Sequence, residues 1–244
     1  MRYEIKGDPF PIVICTLDDG ETVACQKGAM AWMSPNMQMS TNAGGGVGKM
    51  FSRMVSGESI FQNKYTPKGQ GEIAFAPSVP GQIIAIEISP QRNIVAQKSA
   101  FLASSETVNY ELFFQKKFGA GLFGGEGFIM QRLTGDGVVF LNAGGTIVKK
   151  KLEPGQILKI DTGCLVAMSD TVNYDIEFQS SIKNGFFGGE GLFLATLTGP
   201  GEVWLQSLPL SRMADRIITA STSYRASDAT DTIGDLSKAF NLFK

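Results

Sequence analysis

At 244 residues and 43% hydrophobic content, the chain can bury a sizeable core, and disorder over most of its length is excluded. Its 22 basic and 23 acidic side chains give a formal net charge of −1, with a pI near 5.6, so no overall positive field draws nucleic acid or anionic lipid. Histidine is absent. That removes Ser-His-Asp and Cys-His nucleophile pairs and the common histidine metal sites, and a protein that is not an enzyme is expected.

The N-terminal Met1-Arg2-Tyr3-Glu4-Ile5 enters an alternating pattern at once, without the features of a signal or transit peptide. No run of about 18 apolar residues occurs, so no membrane-spanning helix is expected. Cys15, Cys25 and Cys164 are odd in number and lack CxxC spacing, which predicts buried thiols in a reducing compartment, and a cytoplasmic location.

Further along, the chain repeats itself. Ala100–Asn142 superposes without a gap on Cys164–Gln206, so that Thr107-Val108-Asn109-Tyr110 meets Thr171-Val172-Asn173-Tyr174. Gly124-Gly125-Glu126-Gly127 likewise meets Gly188-Gly189-Glu190-Gly191, and Leu133-Thr134-Gly135 meets Leu197-Thr198-Gly199. A diverged copy lies upstream: Gln26-Lys27-Gly28-Ala29 matches Gln97-Lys98-Ser99-Ala100, and Met33-Ser34-Pro35 is set against Ala103-Ser104-Ser105. Gly69-Gln70-Gly71, Gly135-Asp136-Gly137 and Gly199-Pro200-Gly201 read as one turn written three times.

Each copy reads as β. Thr107–Phe114 mixes alternation with β-formers, Val138-Val139-Phe140-Leu141 is a short apolar run between glycine turns, and helical periodicity is missing until the end. Pro80-Gly81-Gln82-Ile83 and Pro154-Gly155-Gln156-Ile157 look like matching turns into strands. The expectation is an all-β protein of three tandem sandwich-like repeats (about 1–90, 91–157 and 158–218) around a pseudo-threefold axis. After this single domain, residues 219–244 form a polar linker and a short helix. Ser211–Ile218 could add a helical turn or two, and Ile233, Leu236, Phe240 and Phe243 share one face of the tail, as a clasp on the body or a handle for a partner.

Two glycine loops imitate nucleotide motifs and fail their tests. Gly119–Gly124 spells GxGxxG but leads into the strand-like Phe128-Ile129-Met130 instead of a helix, while Gly44–Lys49 has Ala43 and Met50 where a phosphate loop needs glycine and Ser or Thr. The loops are unusual in carrying bulky apolar residues: Val47, Met50 and Phe51 in the first, Leu122 and Phe123 in the second, Phe186 and Phe187 in the third. These side chains either plug the ends of the body or gather into an apolar patch for self-association, a protein partner or a membrane surface. Glu58, Glu126 and Glu190 recur once per copy, either accepting backbone N–H bonds at a turn or converging on a cation; neither a metal nor a cofactor is expected. Lys149-Lys150-Lys151 reads as a solvated strand or turn. Met30, Met33, Met37, Met39, Met50 and Met54 cluster around Trp32, as adaptable core packing or a pliable partner surface.

The opening Tyr3–Gly7, the stretch Gln26–Pro35 and the repeated Gly-Gly-Glu-Gly and Leu-Thr-Gly-x-Gly resemble the bacterial branch of the altered-inheritance-of-mitochondria family, numbered twenty-four in yeast, over roughly Met1 to Ile218. The resemblance implies a fold similar to the tryptophan RNA-binding attenuation protein, repeated three times. Eukaryotic relatives are associated with the mitochondrial inner membrane, and no reaction or ligand comes with the bacterial branch. Together these readings predict a non-catalytic oligomeric scaffold or binding protein. The alternatives are a small-ligand or nucleotide sensor and, by fold analogy alone, RNA binding.

Overall fold

The computed structural model describes residues 1–41, 62–116, 128–178 and 193–214, together with 216, 217 and 220. By its internal contacts the chain forms two units, Met1–Pro209 and Leu210–Lys244. Within the second, residues 210–214 are helical, where a helical turn or two is expected from Ser211 onward; the tail helix expected within 219–244, with Ile233, Leu236, Phe240 and Phe243, lies outside the described residues. Among the described residues the first unit is built of antiparallel strands, with short 3-10 turns at Lys98–Ala100 and Thr162–Cys164.

A leading strand, β1 (Arg2–Lys6), precedes three runs of six. The first run holds β2 (Ile12–Leu17), β3 (Val23–Gln26), β4 (Met30–Met33), β5 (Met37–Thr41), β6 (Gln62–Pro67) and β7 (Gly71–Phe75). In the second are β8 (Gly81–Ile88), β9 (Ile94–Gln97), β10 (Phe101–Ser105), β11 (Val108–Lys116), β12 (Phe128–Gly135) and β13 (Gly137–Gly144). The third comprises β14 (Ile147–Leu152), β15 (Ile157–Asp161), β16 (Leu165–Ser169), β17 (Asn173–Phe178), β18 (Phe193–Thr198) and β19 (Gly201–Gln206).

These strands make four sheets: β1-β2-β7-β4, β5-β6-β3-β10-β13-β8, β11-β12-β9-β16-β19-β14 and β15-β18-β17. Each six-stranded sheet therefore joins three strands of one run to three of the next, through β3 against β10 and through β9 against β16.

The local chemistry explains the elements. In β2 the alternation places Val13, Cys15 and Leu17 inside, each fully buried, as a half-covered strand requires. The anticipated turns at Gly69–Gly71, Gly135–Gly137 and Gly199–Gly201 join β6 to β7, β12 to β13 and β18 to β19. Gly135 has φ +105°, and a β-carbon there would strike the Thr107 carbonyl oxygen, so only glycine serves.

Pairing registers correct one alignment made from sequence. A bulge separates Met30 from Trp32 on β4, Phe101 from Ala103 on β10, and Leu165 from Ala167 on β16. The residue matching Ala103 and Ala167 is thus Trp32, not Met33. The hydrogen bonds agree: Ser34 Oγ accepts from Glu72 N at 3.0 Å, Ser105 Oγ from Val138 N at 3.1 Å, and Ser169 Oγ from Glu202 N at 3.0 Å. A second correction concerns the proline–glycine turns. Both do lead into strands, but Gly81 opens the first strand of its run and Pro154-Gly155 precedes the second strand of its own, so they are not counterparts.

Three apolar clusters fill the body. One combines the first run with Ile83, Leu102, Ala103, Val138 and Phe140; a second joins β8–β13 to Val166, Ala167 and Trp204; a third joins the last run to Val95, Phe128 and Met130. Burial pushes the Cys15 and Cys25 thiols up to about 12. Folded-state values raised above the ordinary thiol value mean that this stability is whole below about pH 8.5 and is lost as pH climbs toward them. Urea midpoints should fall between pH 8 and pH 10.5, and fall less in a Cys15→Ala/Cys25→Ala variant; equal declines in the two proteins would refute the linkage.

Candidate functional site

The loop residues singled out from sequence, Val47, Met50, Phe51, Leu122, Phe123, Phe186 and Phe187, lie outside the described residues, as do Glu58, Glu126 and Glu190 and both nucleotide-like glycine motifs. Their places in the chain correspond. They fall in the segments between β5 and β6, between β11 and β12, and between β17 and β18, the same connection in each run.

At the foot of two of these segments is an aromatic group. Tyr174 stacks on Phe128 with ring centroids 6.0 Å apart and meets Phe114 edge-on at 5.5 Å. Burial raises the Tyr174 hydroxyl well above its usual range, so it remains a neutral phenol.

Lys149, first of the three lysines, sits on β14 with its Nζ 2.5 Å from Glu202 Oε1 and 5.2 Å from the Trp204 ring centroid. The Lys149 hydrogen bond, helped by Arg92 at 3.3 Å, holds the Glu202 carboxyl below its usual range. Lys151 lies 4.0 Å from Glu153. These are exposed pairs of the kind that contribute about 0.2–1 kcal/mol, and the lysine run is an exposed strand, as anticipated. Among the described residues no three His, Cys, Asp or Glu side chains come together to hold a metal ion, and no helix is long and apolar enough to cross a membrane.

The feature that sequence reasoning underweighted is a pair of sheet edges. β10 and β16 lie inside six-stranded sheets, and their first four residues are buried on both faces. β4, paired the same way to its own run through β7, has no strand on its other side among the described residues and is exposed from Ala31 to Met33. The comparison by position is direct. Trp32 is 42% exposed where Ala103 and Ala167 are at 0%, and Met33 is 39% exposed where Met168 is at 0%. β15 is the other loose end: its equivalents β3 and β9 are sandwiched between neighbours, whereas β15 ends its sheet and leaves Ile157 62% exposed. The methionines around Trp32 divide accordingly. Met37 is buried in the core, Met30 is half-buried against it, Met33 and Met39 face out, and Met50 and Met54 lie outside the described residues. The available signal was Ala31-Trp32-Met33 itself, a tryptophan where the other two copies carry alanine.

With this geometry in view, the relatives are informative about kinship and silent about chemistry. An uncharacterized protein of Streptococcus pyogenes serotype M6 is 34% identical over 223 residues, covering 88% of each chain. A Streptococcus pyogenes protein of known crystal structure matches with a TM-score of 0.76 and 31% identity, over 90% of this chain and 99% of that one. The profile of the family described as Mitochondrial biogenesis AIM24 matches residues 3–208, nearly the whole strand-built unit, and the chain belongs to that family.

Proposed function

We propose that the protein is a non-catalytic, self-associating scaffold that works by holding another polypeptide along an open sheet edge. The observation that carries this reading is the exposure of Ala31, Trp32 and Met33 on β4, an unpaired edge whose counterparts in β10 and β16 are buried. An unpaired edge presents a row of backbone N–H and C=O groups to an incoming strand, and exposed Trp and Met beside it match the composition of protein interfaces. Natural monomers usually blunt such edges with charge, and β4 has none. The apolar glycine loops would add contacts to protein or membrane, and the cytoplasm is the expected setting. Sensing of a small ligand or nucleotide, and RNA binding, draw less support: both nucleotide-like motifs break their own patterns, and a net charge of −1 gives RNA no field to follow.

The test is a photo-crosslinking amino acid at position 32, in cells producing the protein, with Lys68 as an exposed control site. Position 32 should yield a covalent adduct with a polypeptide, and the control should not. No adduct at position 32, or equal yields at both positions, would overturn the reading.

A further inference from the structure

Resting on that reading, the inference concerns which polypeptide the edge receives. Two of the sheets are fragments of a third kind. Without β1, the four-stranded sheet is β2-β7-β4, the same arrangement as β8-β13-β10 and β14-β19-β16. The three-stranded sheet β15-β18-β17 has the arrangement of β3-β6-β5 and β9-β12-β11. Each six-stranded sheet is one half of each type, joined third strand to second strand. Among its described residues the chain thus carries one unjoined half of each type, with edges β4 and β15. Any two copies hold both parts of a further joint.

We infer that β15 of one chain pairs antiparallel with β4 of a second copy, with Trp32 opposite Ile160, Met33 opposite Lys159 and Ser34 opposite Leu158. The register follows from the two joints inside the chain. Ala103 opposes Cys25, Ser104 opposes Ala24 and Ser105 opposes Val23; Ala167 opposes Ala96, Met168 opposes Val95 and Ser169 opposes Ile94. Carrying both sets through the bulge alignment gives one answer.

The joint falls between chains because the described residues of one chain leave both edges open. Among the described residues no apolar cluster combines β4 with β15: the cluster holding Met30 draws on the first and second runs, and the cluster holding Ile160 draws on the second and third. The joint also differs from the internal ones in two ways. Trp32 replaces a buried alanine, supplying a large apolar anchor of the type that dominates interfaces. Pro35 stands where Glu106 and Asp170 donate backbone N–H bonds to Thr22 and Asn93, so the joint has one hydrogen bond fewer. A contact that is broader in side chains and poorer in backbone bonds suits separable copies. It is heterologous, using different surfaces on the two partners, so assembly continues head to tail, as a ring where the rotation closes and as an open filament where it does not.

The test uses the purified full-length chain. Light scattering should show the mean mass rising above that of one chain with increasing concentration, and a Trp32→Lys/Met33→Lys variant, altered only at exposed positions, should stay monomeric while unfolding cooperatively. On a Cys164→Ser background, a Met33→Cys chain mixed with a Lys159→Cys chain should form a disulfide-linked pair, because opposed residues in an antiparallel ladder have Cα atoms about 4.5–5.5 Å apart, within disulfide reach. Monomer mass at every concentration without a mixed adduct would overturn the inference. So would an intrachain bond in a dilute, doubly substituted chain, since β15 would then close on its own β4. If the purified chain stays monomeric while position 32 crosslinks to a different protein in cells, this inference falls and the edge-binding function stands. No adduct of any kind at position 32 removes both.

Discussion

Glutamate in place of Ala103 is expected to remove a large part of the folding stability at neutral pH. Ala103 has no exposed surface, opposes Cys25 on one side and Phe140 on the other, and lies in the first core cluster. A carboxylate there has no partner. Complete burial raises a carboxyl by about 3–5 pH units at about 1.36 kcal/mol each, which amounts to about 4–7 kcal/mol against a typical total of about 5–15. With the folded value raised, the ionisation part of this loss is absent below the unfolded value near 4.3 and grows as pH rises above it, while the cost of fitting the longer side chain into a sealed site persists at every pH. Urea unfolding at pH 7 and pH 4 measures this directly. Trp32→Glu, at the matching position of the open edge, should cost about 1 kcal/mol in the monomer. Near-equal losses in the two variants would show that β4 is covered within its own chain and would contradict the edge geometry.

The next largest effect is expected for Phe140→Ala. Phe140 is fully buried on β13, between β10 and β8, and meets Tyr3 of β1 edge-on with ring centroids 4.9 Å apart. Its truncation removes apolar contact and leaves a cavity the surrounding strands cannot fill, at about 3–5 kcal/mol. Tyr3 is 44% exposed, so Tyr3→Ala should cost less, and the two substitutions should couple by about 0.5–1.5 kcal/mol through the ring contact. Chemical denaturation of the wild type, both single variants and the double variant supplies the cycle. A coupling indistinguishable from zero would mean that β1 does not pack on β13 through these rings.

Residues alone were enough for the strand content and the turns. Alternation around Val108–Phe114 and the thrice-written glycine turns are local signals, set by backbone sterics and by the pleat's period of two, and the strands and hairpins appear where those signals stand. The absence of histidine narrowed the chemistry for an equally local reason. Copy one was harder to align, because Met30–Met33 share little identity with Phe101–Ser104 and Leu165–Met168, and only the register on β7 places Trp32 opposite Ala74 as Ala103 stands opposite Phe140. The proline–glycine turns misled for a related reason: identical turn chemistry can introduce different strands.

What tertiary structure alone decided is which strands lie inside a sheet and which lie at its edge. Met33 and Met168 are the same residue on equivalent strands, yet one is 39% exposed and the other is sealed. The difference comes from a neighbouring strand more than sixty residues away in sequence for Met168, and missing for Met33 among the described residues. Local sequence specifies the shape of a strand; its burial is a property of the partners that the whole chain brings, or fails to bring, alongside it.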